Sequence, residues 1–97
     1  MGKFDDVDRF EAALRLEVRE EMARKKNGMS KSDLSRLSGI STSQISRLLS
    51  DERRPGRTDR WTVGVIVGIA TALDLTPVEL TERAQRRYLE EEGREGQ

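Results

Sequence analysis

The string SKSDLSRLSGISTSQISRLL contains the feature that most limits how this chain can fold. Ser30 is followed three residues later by Asp33, and Ser41 is followed three residues later by Gln44. A hydroxyl with an acid or amide three residues on is typical of a capping box, which starts a helix. Gly39 lies between the two boxes, where it suits the turn that ends one helix before the next. The segment therefore predicts two short helices joined by a tight turn.

The second of these helices, expected over residues 42–50, has two different faces. Helical spacing places Ile45, Leu48 and Leu49 on the inner face. The outer face carries side chains that form hydrogen bonds: Thr42, Ser43, Gln44, Ser46 and Arg47. A helix of this kind, following a turn and another short helix, fits the major groove of B-DNA and reads base edges from its N-terminal part. We expect these five residues to read bases.

Two of these side chains have a second possible role. Gln44 could accept from the Ser41 amide as the third residue of a capping box, or pair with adenine. Arg47 could bind guanine with two hydrogen bonds or hold a phosphate. The outer face as a whole could also be an ordinary solvated surface.

The distribution of charge along the chain favours DNA binding, although the net charge is zero. Residues 24–60 contain ten basic and four acidic residues, whereas residues 1–23 contain four basic and seven acidic ones. We expect phosphate contacts from six residues in or beside the two helices: Lys31, Ser32, Ser41, Arg53, Arg54 and Arg57. The last three belong, with Arg60, to an exposed loop over residues 51–60, whose charges could instead be merely solvated.

Three further helices are predicted around this pair. The first runs from Asp5 to about Lys26, ends at Asn27-Gly28 and places five apolar residues on one face: Val7, Phe10, Leu14, Val18 and Met22. Residues 61–75 are the most apolar stretch, and their length favours a buried helix, although their β-branched residues would also suit a strand. Gly64 and Gly68 have the spacing of a motif by which membrane helices dimerise, but close packing against a neighbouring helix explains them better. Trp61 is expected to cover this helix rather than stack on a base.

The last helix is predicted to begin at Thr76-Pro77 and to fray near Gly93. Leu80, Ala84 and Tyr88 form one stripe along it. The sequence leaves open whether this stripe belongs to the core or to a homodimer interface.

Composition narrows the function classes. The chain has no Cys and no His, which removes most zinc sites and most nucleophile–base pairs, so we expect neither an enzyme nor a metal or cofactor site. The start, MGKFDDVDRFEAAL, has acids where a signal peptide has bases, and the apolar stretch is too short to span a membrane. A cytoplasmic location is expected, in a bacterial cell or phage-infected host.

The sequence LSRLSGISTSQISRLL resembles the Cro/C1-type helix-turn-helix of temperate-phage repressors and many small bacterial regulators. TVGVIVGIATALDLTPVEL resembles the fourth helix and the start of the fifth in that family, so the likeness covers roughly residues 14–82. It implies an all-α, five-helix lambda-repressor-like DNA-binding domain, with Gly39 in the turn and a core that includes Leu34, Ile40, Ile45 and Leu48. Ser35 stands where the family usually has Ala, and we expect its hydroxyl to bond back within its own helix.

We accordingly expect a helix-turn-helix domain over residues 1–82 and, over residues 83–97, the rest of the last helix with a mobile charged tail. The expected partner is double-stranded operator DNA, bound by a phage Cro-like or repressor protein. The alternatives are the antitoxin of a toxin–antitoxin pair and a protein-interaction adaptor of the same fold. The acidic residues 1–23 could serve either alternative.

Overall fold

The computed structural model describes residues 3–50 and 60–95, with side chains for residues 7–50 and 60–90. Five helices follow one another along these residues: α1 (Lys3–Arg24), α2 (Lys31–Ser38), α3 (Thr42–Leu49), α4 (Val63–Ala72) and α5 (Pro77–Glu95). The described residues contain no strand. The predicted all-α, five-helix architecture is therefore confirmed, and the apolar stretch before residue 75 forms a helix rather than a strand.

The first helix ends close to where the sequence predicts. It stops at Arg24 rather than Lys26, and both Asn27 and Gly28 have positive φ, at 68° and 73°. This left-handed pair reverses the chain, and the Met29 amide then donates to the carbonyl of Met22 at 3.0 Å. The reversal delivers the chain directly to the start of α2.

One core joins all five helices. Its largest fully buried side chains are Leu14, Val18, Leu34, Ile45, Leu48, Leu49, Ile69, Leu73 and Leu80. Phe10 and Tyr88 meet at its edge, with ring centroids 6.0 Å apart and an interplanar angle of 65°. Val7 was expected on the buried face of α1 but is 46% exposed. It lies a turn before Phe10, so the apolar periodicity of α1 extends beyond the surface that packs against it.

The apolar stripe of α5 belongs to the core. Leu80 and Ala84 are both 0% exposed, and Tyr88 is partly buried against the same cluster. Of the two alternatives that the sequence left open, the structure favours the core, because two of the three residues have no surface left to offer a second chain. The helix also continues through Gly93 to Glu95, beyond the point where it was expected to fray.

The fourth helix is less buried than its composition suggests. Val65, Ile69 and Ala70 lie in the core, but Val63 is 79% exposed and Val67 is 42% exposed. The two exposed valines are one helical turn apart and lie on the opposite side from the core. The helix expected to be buried is therefore buried on one side only.

The two glycines of α4 have different surroundings. A Cβ at Gly68 would lie 3.2 Å from the backbone oxygen of Ser38, whereas a Cβ at Gly64 would meet nothing within 4 Å. Close helix packing is thus confirmed at Gly68, where α4 meets the end of α2, and is wrong at Gly64.

Ion pairs connect α1 to the second half of the chain. Glu17 bonds to Arg87 at 3.0 Å, and Glu21 bonds to Arg83 at 2.8 Å. Burial alone would raise the pKa of Glu21, but hydrogen bonds from Arg83 and Lys25 outweigh it and lower that pKa. These pairs fix α5 along α1.

Membrane-spanning potential was considered for the described helices. Not one of them is both long and apolar enough to cross a bilayer by itself; α4 taken together with residues 77–90 passes on length and composition, but the pair is bent by 103°.

Candidate nucleic-acid interface

The N-terminus of α2 is fixed by a complete capping box. The Ser30 hydroxyl accepts from the Asp33 amide at 3.1 Å, and the Asp33 carboxylate accepts from the Ser30 amide at 3.3 Å. The hydrogen bonds from Ser30, with a smaller contribution from Arg36, lower the pKa of Asp33. Lys31 and Ser32, two of the predicted phosphate ligands, follow the cap directly and are exposed.

The turn between α2 and α3 is held by two serine hydroxyls. Gly39 ends α2 with φ at 77°, and its amide donates to the Ser35 carbonyl at 2.9 Å. The Ser35 hydroxyl donates to the carbonyl of Ile40, and the Ile40 amide donates to the Ser38 hydroxyl at 3.2 Å. Ser35 was expected to bond within its own helix; that is wrong, because its hydroxyl reaches past the end of α2 to a carbonyl that has no helical donor.

The start of α3 is capped on one side only. The Ser41 hydroxyl accepts from the Gln44 amide at 3.2 Å. Among the described residues the Gln44 side chain makes no return bond to the Ser41 amide, in contrast to the complete box of α2. The cap therefore forms without the Gln44 side-chain amide, so that group is not used for capping.

The two faces of α3 are divided as the sequence predicts. Ile45, Leu48 and Leu49 are at most 2% exposed. On the other side Thr42, Ser43 and Arg47 are exposed, and Gln44 and Ser46 are partly exposed. Ile40, expected in the core, is only partly buried at its edge. The five predicted base-reading residues therefore lie on the part of α3 that the core leaves uncovered, and Ser41, also exposed, caps their N-terminal end.

Most of the predicted basic loop lies outside the part of the chain that the structure describes. Arg53, Arg54 and Arg57 lie outside the described residues. Arg60 is described, and its guanidinium bonds to Asp8 at 2.9 Å and to Glu11 at 2.7 Å. The hydrogen bonds that Arg60 donates to these two carboxylates raise the pKa of Arg60. Arg60, expected within the exposed charge run, is instead tied to α1.

Trp61, which follows Arg60, was predicted to cover the helical core rather than to stack on a base. Its amide donates to Glu11 at 3.0 Å, and its side chain packs against the core in a partly buried position. The side chain therefore contributes to the cover of the core, as the sequence predicts. Glu11 thus receives both Arg60 and the Trp61 amide, and it anchors the chain where α4 begins.

Neither of two long-range contacts of α1 is marked by a local motif. Lys25 donates to the carbonyl of Leu73 at 2.6 Å and so binds the C-terminal end of α4. The Arg60–Glu11 contact joins residues 49 positions apart. Only the serines of the turn had a signal in the sequence, since Ser35 and Ser38 both precede Gly39 at the end of the short α2.

A helical domain with a short capped helix, a left-handed glycine turn and a second capped helix whose polar face is exposed is a helix-turn-helix DNA-binding domain. The family model of the Cro/C1-type HTH DNA-binding domain matches residues 20–85 of the 97-residue chain, and the chain belongs to this family. The comparisons with curated proteins and with solved structures gave no match.

Proposed function

We propose that this chain is a sequence-specific transcriptional regulator that binds a double-stranded DNA operator and acts by occupying it, as a phage or prophage Cro-like protein or immunity repressor does. Thr42, Ser43, Gln44, Ser46 and Arg47 read the bases, and Lys31, Ser32 and Ser41 hold phosphates, together with Arg53, Arg54 and Arg57. The protein acts in the cytoplasm, where its DNA is.

One observation carries this proposal: the inner face of α3 is buried in the core while the polar side chains on its other face are exposed or partly exposed. Ile45 and Leu48 are at most 1% exposed, and a rigid, buried base is what a side chain needs to hold its position against a base edge. Gln44 and Arg47 point away from that base on adjacent turns of the helix. An amide and a guanidinium suit adenine and guanine, respectively, in the major groove.

The electrostatics of α2 support the same placement of DNA. Lys31 lies in the first turn of a helix whose N-terminus presents a partial positive charge, and it is exposed beside Ser32. Asp33, the acid of this turn, is held by Ser30 and by Arg36 at 3.5 Å. The acid therefore serves the cap, while Lys31 is available for a phosphate.

Selection of bound sequences from a random DNA pool is the first experiment. A defined consensus is expected, and a palindromic one would show that two copies bind together. Recovery of unrelated sequences would contradict sequence-specific binding.

Substitutions on α3 then test the residues. Gln44→Ala and Arg47→Ala should each weaken binding to the selected site by about 1–3 kcal/mol if the side chain makes a bidentate base contact. Gln85→Ala and Arg86→Ala are matched controls, because both residues are exposed on α5. These substitutions remove the same two chemical groups from a different helix. Equal losses for the test and control pairs would show that α3 does not read the bases.

The antitoxin alternative receives no support from the acidic first helix. Glu11, Glu17 and Glu21 are engaged with Arg60, Arg87 and Arg83 of the same chain. A partner that needed these carboxylates would first have to displace the internal arginines.

A further inference from the structure

We propose that Ser35 and Ser38 are positioning residues for DNA recognition: their hydroxyls fix the turn that sets the start of α3 and thereby sharpen the discrimination of operator from other DNA. The inference rests on the proposed function, because it concerns how well α3 is held for reading bases. It concerns residues that do not touch DNA themselves.

The two hydroxyls bind both polar backbone groups of a single turn residue. Ser35 donates to the carbonyl of Ile40, and Ser38 accepts from the amide of Ile40 at 3.2 Å. The Ser38 hydroxyl also donates to the Ser35 carbonyl at 3.5 Å. Both backbone polar groups of Ile40 are thus hydrogen-bonded to side chains of α2. The next residue along the chain, Ser41, is the N-cap of α3.

Neither of these Ile40 groups takes part in the backbone hydrogen-bond ladder of α2 or α3. The intrahelical bonds of α3 begin with the Ile45 amide on the carbonyl of Ser41, which leaves the carbonyl of Ile40 outside the ladder. All three hydrogen bonds are partly buried, so loss of a hydroxyl leaves a backbone group without its partner in a place that water reaches poorly. The serines therefore provide the hydrogen bonds that a tight turn cannot provide for itself.

A third element presses on the same turn. The Cα of Gly68 lies so close to the turn that an added Cβ would be 3.2 Å from the backbone carbonyl oxygen of Ser38 and 3.6 Å from Cδ1 of Ile40. The turn is consequently held by hydrogen bonds from α2 and by contact with α4. With Ile40 fixed, the N-terminal residues of α3 have a defined position relative to Lys31 and Ser32 on α2.

This arrangement affects specific binding more than nonspecific binding. Base contacts need a side chain placed to within about 0.5 Å, whereas long basic side chains follow a phosphate through larger displacements. Loosening the turn should therefore weaken operator binding while leaving the attraction to DNA of any sequence nearly unchanged.

The experiment compares Ser35→Ala, Ser38→Ala and the double variant with the unaltered chain, with binding measured on the selected operator and on unrelated DNA at the same salt concentration. Each single substitution should weaken operator binding roughly three- to tenfold, the range expected for one net hydrogen bond, and change binding to unrelated DNA by less than about twofold. Ser35→Thr retains the hydroxyl and should restore discrimination. Thr71→Ala is the control, because Thr71 is an exposed hydroxyl residue on α4.

Amide hydrogen exchange gives a readout that does not depend on DNA. The variants should exchange faster at Ile40, Gln44 and Ile45 while the amides of α1 and α5 keep their protection. Equal losses of operator and unrelated binding, or a uniform rise in exchange, would show that the serines only stabilise the fold and would overturn the proposal. Unchanged exchange at the turn would overturn it as well. If the unaltered chain itself fails to distinguish operator from unrelated DNA, the proposed function fails instead.

Discussion

Replacing Gly68 by alanine tests the contact between α4 and the recognition turn, and Gly64 offers a control in the same helix. An alanine in a helix is favoured over glycine by roughly 0.5–1 kcal/mol, since glycine loses more backbone freedom on folding. Both substitutions should gain this helix-forming free energy. They differ in what the new methyl group meets.

The structure determines the sign of the difference. At Gly64 the methyl group would enter open space, so Gly64→Ala should raise the free energy of unfolding by about 0.5–1 kcal/mol. At Gly68 it would lie 3.2 Å from the Ser38 oxygen. That oxygen is part of the backbone, and the Ser38 hydroxyl is bonded to the Ser35 carbonyl and to the Ile40 amide, so the oxygen cannot rotate away as the end of a side chain would. Overpacking of this kind costs about 1–3 kcal/mol, which exceeds the gain, and Gly68→Ala should be net destabilising.

Urea unfolding of the three chains measures the effect, with the two variants expected to differ by roughly 1–3 kcal/mol. Gly68→Ala should also lower the affinity for the selected operator, because the methyl group displaces the turn before α3. If Gly68→Ala proves as stabilising as Gly64→Ala, then α4 does not press on the turn and the reasoning is refuted.

Three further substitutions test helix caps and charged side chains. Ser30→Ala removes the cap of α2 and should lower the free energy of unfolding by about 1 kcal/mol, whereas Ser32→Ala, at an exposed position in the same turn, should change it by less than about 0.5 kcal/mol; equal effects would contradict the capping role. Lys31→Gln should reduce the dependence of DNA affinity on salt by about one phosphate contact, and Arg60→Gln should not, because Arg60 is bonded to Asp8 and Glu11; an equal reduction would mean that Arg60 leaves α1 for the DNA. Hydrogen bonds from Thr76, chiefly from its backbone amide, lower the pKa of Glu79 from its ordinary value of 4.5. The ionised Glu79 therefore stabilises the fold above pH 4.5, and this stabilisation is lost as the pH falls through the lowered pKa of the folded state. Glu79→Gln should accordingly make acid unfolding less steep below about pH 4.5, which thermal melts at a series of pH values would detect.

Local chemistry made the helices predictable. The caps at Ser30, Ser41 and Thr76, the left-handed stop at Asn27-Gly28 and the glycine turn are each specified by neighbours within a few residues, and each appears in the structure. The inner face of α3 was predictable for the same reason, since spacing alone separates Ile45 and Leu48 from the polar residues.

Features that depend on distant parts of the chain were not predictable. Whether Leu80 and Ala84 belong to the core or to a second chain depends on where α1 lies, and no periodicity within α5 contains that information. Likewise, Val7 continues the apolar pattern of α1 but lies beyond the surface that could cover it. The destination of the Ser35 hydroxyl depended on the path of the turn, which brings the Ile40 carbonyl back over the end of α2.

The internal ion pairs also explain how a chain without net charge can bind DNA. Three acids of the first helix, Glu11, Glu17 and Glu21, are paired with Arg60 before α4 and with Arg87 and Arg83 on α5. Opposite charges paired at about 3 Å largely cancel at a distance, so these three carboxylates add little to the field at the helix-turn-helix. Lys31 on α2 and Arg47 on α3 belong to the basic middle segment and are both exposed. Exposed cations of the helix-turn-helix, rather than the zero net charge of the whole chain, are therefore what attracts a phosphate to this face.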